Sequence, residues 1–254
     1  MHLLDPLTGN EALTRSGSSL FPGFLREFWG WSFSALHDPL LRGYLAEFLV
    51  YKALFQMHQP VFQIPTSHFS TKMEGDVHDL VFFMNDEKFT LQVKSKDSFS
   101  KSQRFDTSFA EGFDCTTGKA LAADHWSDFY VFAYLKLDNG KCSQLKSLHE
   151  KWNPDPSLAT PLEKRTFKAT QQQVIDSVLE LNNWSFFILE REQLRGQKTI
   201  GLNKLHSKLR RGEAVHVSYD GLGDALMELA YLRFAARCYA NCDTEPTRRL
   251  ELSS

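Results

Sequence analysis

From Lys88 to Lys94 the chain alternates strictly: Phe89, Leu91 and Val93 fall on one side, Lys88, Thr90, Gln92 and Lys94 on the other. That period of two is the pattern of a half-buried strand. The run Leu80-Val81-Phe82-Phe83-Met84 just before it reads as a partner strand, so 79–95 is expected to form a β-hairpin. With the turn centred on Asp86 and Glu87, the expected register sets Asp79 opposite Lys94, on the same face as Gln92. Upstream the period changes to that of a helix over 38–57. Asp38 and Pro39 supply an N-cap and a first-turn proline, and Leu40, Tyr44, Tyr51 and Leu54 form an apolar stripe that also contains Glu47. A carboxylate inside an apolar stripe calls for a partner, and a divalent cation is a good one.

Further along, Asp128 to Leu137 and Trp184 to Leu189 have the length and apolarity of buried strands, the first ending in the turn signal Asp138-Asn139-Gly140. Gln171 to Leu181 and Asp224 to Cys238 repeat at helical spacing. Lys96 to Asp124 is polar and rich in Ser and Thr, and reads as a helix or loop over the face that carries Gln92. Residues 141–170 contain three prolines and many charges, the signature of an exposed excursion. The order helix, hairpin, strand, helix, strand implies an α/β fold with a mixed sheet flanked by helices. The expected division is an aromatic-rich arm packed on the domain over 1–37, a core over 38–215, and a C-terminal helix and tail over 216–254.

Composition narrows the function classes. The chain is 42% hydrophobic with 21 Phe, ample for a core. No run approaches the ~18 apolar residues of a membrane span. The amino terminus lacks a basic region followed by an apolar stretch, so the expected setting is cytoplasmic. A net charge of −2 argues against a protein that coats nucleic acid over its whole surface, yet leaves room for one basic cleft. The four cysteines have no partner Cys/His pair at metal spacing and read as reduced thiols. Walker A, dinucleotide-binding and Gly-x-Ser-x-Gly motifs are absent. The basic run 204–211 reads first as a solvated helix face.

Asp79 at the mouth of a hairpin, Gln92-Val93-Lys94 on its second strand and Glu47 on the preceding helix together resemble the PD-(D/E)xK nucleases, in their Gln-x-Lys variant. Ser127 to Leu135 and Asn183 to Leu189 resemble segments of a branch of putative endonucleases in that group, so the likeness spans roughly Leu40 to Leu205. It implies a restriction-endonuclease-like fold and a Mg²⁺-dependent endodeoxyribonuclease, with Mn²⁺ as a possible substitute, in a prokaryotic restriction or genome-defence system. Asp79 would bridge the metal, Glu47 would hold it directly or through water, and Gln92 and the Val93 carbonyl would complete the shell. Lys94 would orient the attacking water. Lys96, Lys101 and Arg104 are the candidate contacts to DNA. A homodimer and a DNA methyltransferase of the same system are the expected partners besides DNA. The rival readings are a catalytically silent module that binds nucleic acid or protein, and a nuclease acting on RNA or on branched or single-stranded DNA.

Overall fold

The computed structural model describes residues 10, 13–15, 18–21, 24–57, 70–71, 78–84, 87–114, 119–152, 155–194 and 196–242. The Pro-punctuated link with His58 and His68, Cys115, and the tail after Cys242 lie outside the described residues. In chain order the strands are β1 (Leu13–Arg15), β2 (Ser18–Phe21), β3 (Ser70–Thr71), β4 (Leu80–Met84), β5 (Glu87–Asp97), β6 (Arg104–Asp106), β7 (Ala110–Asp114), β8 (Lys119–Asp124), β9 (Phe129–Leu135), β10 (Trp184–Glu190), β11 (Thr199–Gly201) and β12 (Val215–Val217). The helices are α1 (Phe24–Phe33), α2 (Pro39–Gln56), α3 (Asn139–Trp152), α4 (Pro161–Leu179), α5 (Leu202–Arg210) and α6 (Leu222–Cys242).

Six strands form the central sheet in the order β12-β10-β9-β5-β4-β3. Only the β5–β9 pairing is parallel; its neighbours are antiparallel, so the sheet is mixed as the sequence order implied. Alternation along the strands sorts side chains into two cores. Leu91, Val93, Val131, Ala133, Phe186 and Ile188 join Ala46, Val50 and Leu54 of α2, Val174 and Val178 of α4, and Leu222 and Leu226 of α6. On the other face Tyr130, Phe132, Phe187 and Leu189 pack with Phe105, Ile200 and Leu205. Each fully buried Phe contributes about 1.5–3 kcal/mol of transfer free energy.

Helix α2 starts where the sequence placed it: the Asp38 side chain accepts a 2.7 Å hydrogen bond from the Leu40 amide, and proline occupies the first turn. Its buried face differs from the expected stripe. Arg42, Ala46, Val50, Ala53 and Leu54 are buried, whereas Leu40 and Tyr44 are 67% and 55% exposed. The helix is apolar on most sides, and its small residues are the ones that let it lie close to the sheet. Gly223 allows a similar approach by α6, since a Cβ there would fall 2.5 Å from the Met57 side chain and 2.7 Å from the Ala53 carbonyl oxygen.

Two segments differ from the sequence expectation. The excursion over 141–170 is instead largely helical: α3 begins where a turn was expected, with Asp138 Oδ1 accepting from the Gly140 amide at 2.9 Å. Residues that favour turns also start helices. Helix α4 opens on a reciprocal cap between Thr160 and Glu163, with Pro161 in its first turn. The polar stretch 96–124 forms β6, β7 and β8, with β6 paired to β11 and β7 to β8 outside the main sheet. Among the described residues no helix is long and apolar enough to cross a membrane.

Candidate functional site

Register decides what surrounds Asp79. Leu80 pairs with Leu91 and Met84 with Glu87, so Asp79 stands opposite Gln92 rather than Lys94. A slip of two residues leaves every side chain on its face. Asp79, Gln92 and Lys94 therefore still share one face, as the alternation required. The Asp79 amide donates to the Leu91 carbonyl at 2.9 Å, the last ladder bond before β4 begins.

The Asp79 side chain is almost completely buried, at 2% exposure. Its Oδ2 accepts two hydrogen bonds of 2.7 Å, one from Gln92 Nε2 and one from the Val93 amide. That amide marks where the antiparallel ladder stops, and the carboxylate takes the place of a backbone acceptor. Amide and carbonyl of one strand residue face the same edge, so the Val93 carbonyl also points to where β4 parts from β5. Gln92, with Nε2 committed to Asp79, carries its Oε1 away from that carboxylate. Just upstream His78 Nδ1 lies 3.0 Å from Ser127 Oγ, which ties the approach to Asp79 to the start of β9.

Lys94 and Lys96 follow Gln92 on the same face, both partly exposed, in register with Phe132 and Tyr134. Tyr130 lies beside Gln92, 4% exposed. Burial is the main cause that pushes its phenol up to about 12, and a hydrogen bond with the Ser127 backbone opposes the rise. Asp106 on β6 is a residue that the sequence reading missed. Its carboxyl is held below the usual range first by hydrogen bonds from Ser108, then by the positive charges of Lys94 and Lys96. The signal was weak: an acid in a polar stretch read as helix or loop, brought near both lysines only by the β6–β11 pairing.

Glu47 comes from a different element. Helix α2, which carries it, covers the face of Leu91 and Val93, with Arg42 pairing to Asp97 at 2.6 Å and Gly43 over Ser95, opposite the face of Gln92 and Lys94. The stripe argument placed it correctly on a helix beside β5 but could not tell which face that helix covers. Lys101 and Arg104 are exposed beyond the end of β5, Lys101 on a loop held by Gln103, whose Nε2 donates to the carbonyls of Asp97, Ser98 and Ser100 at 3.2, 3.3 and 2.9 Å, and Arg104 at the start of β6. In the basic run, Lys208 is buried against Glu213 at 3.0 Å and Arg211 meets the same carboxylate at 2.5 Å. Lys204, Arg210 and Arg211 are exposed, as a solvated face requires, whereas Lys208 departs from that reading.

Among the described residues no three His, Cys, Asp or Glu side chains are grouped so as to hold a metal ion. A hard cation can still be tested against the oxygen donors. Mg²⁺ commonly takes one or two protein carboxylates, retains several waters and uses substrate phosphate oxygens for the rest. Asp79 and the Val93 carbonyl are donors of that type on one edge and fit such a sparse shell, and Gln92, whose Nε2 bonds Asp79, would turn its amide to add Oε1. No protein-family model, curated protein or solved structure matches this chain.

Proposed function

We propose that the chain is a metal-dependent endodeoxyribonuclease of the PD-(D/E)xK type, with its site on Asp79, Gln92, Val93 and Lys94. One observation supports this most: a buried carboxylate sits where two antiparallel strands part, bonded to Gln92 and Val93, with Lys94 and Lys96 next on the same face. A purely structural account, in which Asp79 caps the ladder, explains its two hydrogen bonds. It leaves unexplained why two lysines follow Gln92 on a face where the neighbouring strand β9 carries Tyr130 and Phe132.

Phosphodiester hydrolysis needs an oriented water and positive charge to meet the charge that grows on the phosphate. A bound Mg²⁺, or Mn²⁺ in its place, would supply charge neutralisation and a more acidic water. Asp79, Gln92 and the Val93 carbonyl would hold it. Gln92 fixes the Asp79 carboxylate through Nε2. Lys94 brings an ammonium to the same face, where it orients the attacking water and steadies the developing charge. Lys96, Lys101 and Arg104 extend positive charge beyond the strand end, along the path proposed for the DNA backbone. A restriction or genome-defence role, with a DNA methyltransferase encoded nearby and a dimer to cut both strands, is the setting that suits such an activity.

A second reading has its own observation. With the Asp79 carboxylate engaged by Gln92 and Val93 and helix α2 on the other face of the sheet, the chain also suits a catalytically silent module of the same fold that binds nucleic acid. Incubation of the full chain with supercoiled plasmid, single-stranded DNA and RNA, in Mg²⁺, Mn²⁺ or EDTA, separates the readings. Metal-dependent nicking or linearisation of plasmid is the expected result. DNA retained in a gel-shift assay but never cut would favour the silent module, and cleavage confined to RNA or single strands would change the substrate.

A further inference from the structure

We propose that the cleft between the start of α2 and helices α3 and α4 binds a small organic anion with an apolar body. The cleft has a volume of about 370 Å³, within the size range of small-molecule sites. It lies just beyond the C-terminal ends of the parallel strands β5 and β9, beside Phe99 and Leu137, the position where open α/β sheets commonly take ligands. It is on the face of the sheet away from the Gln92 and Lys94 side chains, so it stands apart from the nuclease reading.

The lining divides by depth of burial. Leu137, Leu145 and Val174 are buried and Phe167 is partly buried, giving a wall suited to a ring or short chain. The polar groups are mostly cationic or hydrogen-bonding. Lys146 and His149 are exposed on α3, His37 is half-buried opposite them, and Arg42 is fixed at the back by Asp97 and by the His37 carbonyl. The one carboxylate on the lining, Asp38, is engaged at the start of α2, accepting from the Leu40 amide. Lys146 also meets Glu150 at 3.5 Å, but both are exposed and such a contact is weak. Gln171 Nε2 lies 3.3 Å from His37 Nδ1 and steadies that ring. Burial holds His37 below the ordinary histidine value, so near neutral pH it serves as an uncharged hydrogen-bond partner and Lys146 carries the charge of the rim. A cationic ligand would meet Lys146, with Asp38, which already accepts from the Leu40 amide, as the one carboxylate on the lining to receive it. An anionic head at the rim with its apolar part against Leu145 and Phe167 satisfies both halves of the cleft.

The test compares three probes that share one chain and differ in head group: octanoate, octylamine and octanol, titrated into the full chain by calorimetry. Octanoate is expected to bind with a dissociation constant below about 1 mM, and the other two at least about tenfold more weakly. The double variant Lys146→Glu/His149→Glu changes exposed positions, so its circular dichroism should match wild type while octanoate affinity falls about tenfold or more. The Trp152 ring lies tilted against that of Phe167, with centroids 5.3 Å apart, so octanoate should also change the fluorescence of wild type and have less effect on Trp152→Phe. Absence of octanoate binding, equal binding of octylamine, or an unchanged octanoate affinity in the folded double variant would overturn the proposal.

Discussion

Asp79→Asn and Asp79→Ala separate what this carboxylate does for the fold from what it does for chemistry. The wild-type carboxylate is 2% exposed and accepts from Gln92 Nε2 and the Val93 amide, each at 2.7 Å. Alanine leaves both donors buried without that acceptor, at about 1–3 kcal/mol for each. The sum is about 2–6 kcal/mol, and a chain of this size loses about 2–4 °C of melting temperature per kcal/mol. Asp79→Ala should therefore melt at least about 4 °C below wild type. Asparagine keeps an oxygen of the same reach and loses the charge, so its cost is about 1–2 kcal/mol, the difference between charge-assisted and neutral hydrogen bonds. Thermal melting followed by circular dichroism in EDTA, with a urea titration, reads both values without any metal. An alanine variant as stable as wild type would refute the role of Asp79 as the acceptor that closes the ladder. It follows that asparagine, rather than alanine, is the substitution for asking about catalysis.

Three other outcomes follow from the same geometry. Gln92→Glu puts a second carboxylate against Asp79 in place of an amide donor, so in EDTA it should melt below wild type, and Mg²⁺ should stabilise it more than it stabilises wild type; a Mg²⁺ response no larger than wild type's would remove Gln92 from the metal shell. Arg42 and Asp97 form a buried pair at 2.6 Å, so Asp97→Ala alone should cost about 3–5 kcal/mol in a urea titration, while Arg42→Met/Asp97→Leu should recover most of that loss; equal losses in both variants would contradict this. Tyr130 has its phenol raised by burial to about 12, against about 10 in an unfolded chain. The folded state thus holds this proton more tightly, and the stability it gives is complete below pH about 10 and is lost as pH rises to about 12. Tyr130→Phe should remove up to about 2–3 kcal/mol of the alkaline loss in that window, and parallel stability curves for the two proteins between those pH values would contradict the assignment.

The sequence made some features legible because one force dominated them. The shared face of Phe89, Leu91 and Val93 in β5 and the Asp38-Pro39 start of α2 each follow from local chemistry and appear as expected, although Thr90 and Gln92 on the other face of β5 are buried as well. The shared face of Asp79, Gln92 and Lys94 was legible for the same reason, since a strand has two faces whatever its register. Their exact pairing was not, because Asp86 and Glu87 suit a turn as well as Asn85 and Asp86 do, and the choice rests on the whole hairpin. Helix α2 shows a different limit. Its apolar residues point in most directions, so periodicity could not show that Ala46 and Ala53 face the sheet while Leu40 and Tyr44 are exposed. Asp106 was hidden because short strands such as β6, three residues long, carry too little pattern to be read alone.

The most direct measurement of the central claim is plasmid cleavage by purified wild type, Asp79→Asn and Lys94→Ala over a Mg²⁺ titration, with folding of each verified by circular dichroism. Lys94 is partly exposed, so its replacement should leave the fold intact. Wild type is predicted to cut with a rate that saturates in Mg²⁺ and vanishes in EDTA. Both variants, folded and still retaining DNA in a gel-shift assay, are predicted to lose cutting by at least about a hundredfold, the scale expected when a group that stabilises developing charge is removed. Cleavage by folded Asp79→Asn and Lys94→Ala at the wild-type rate would contradict the account.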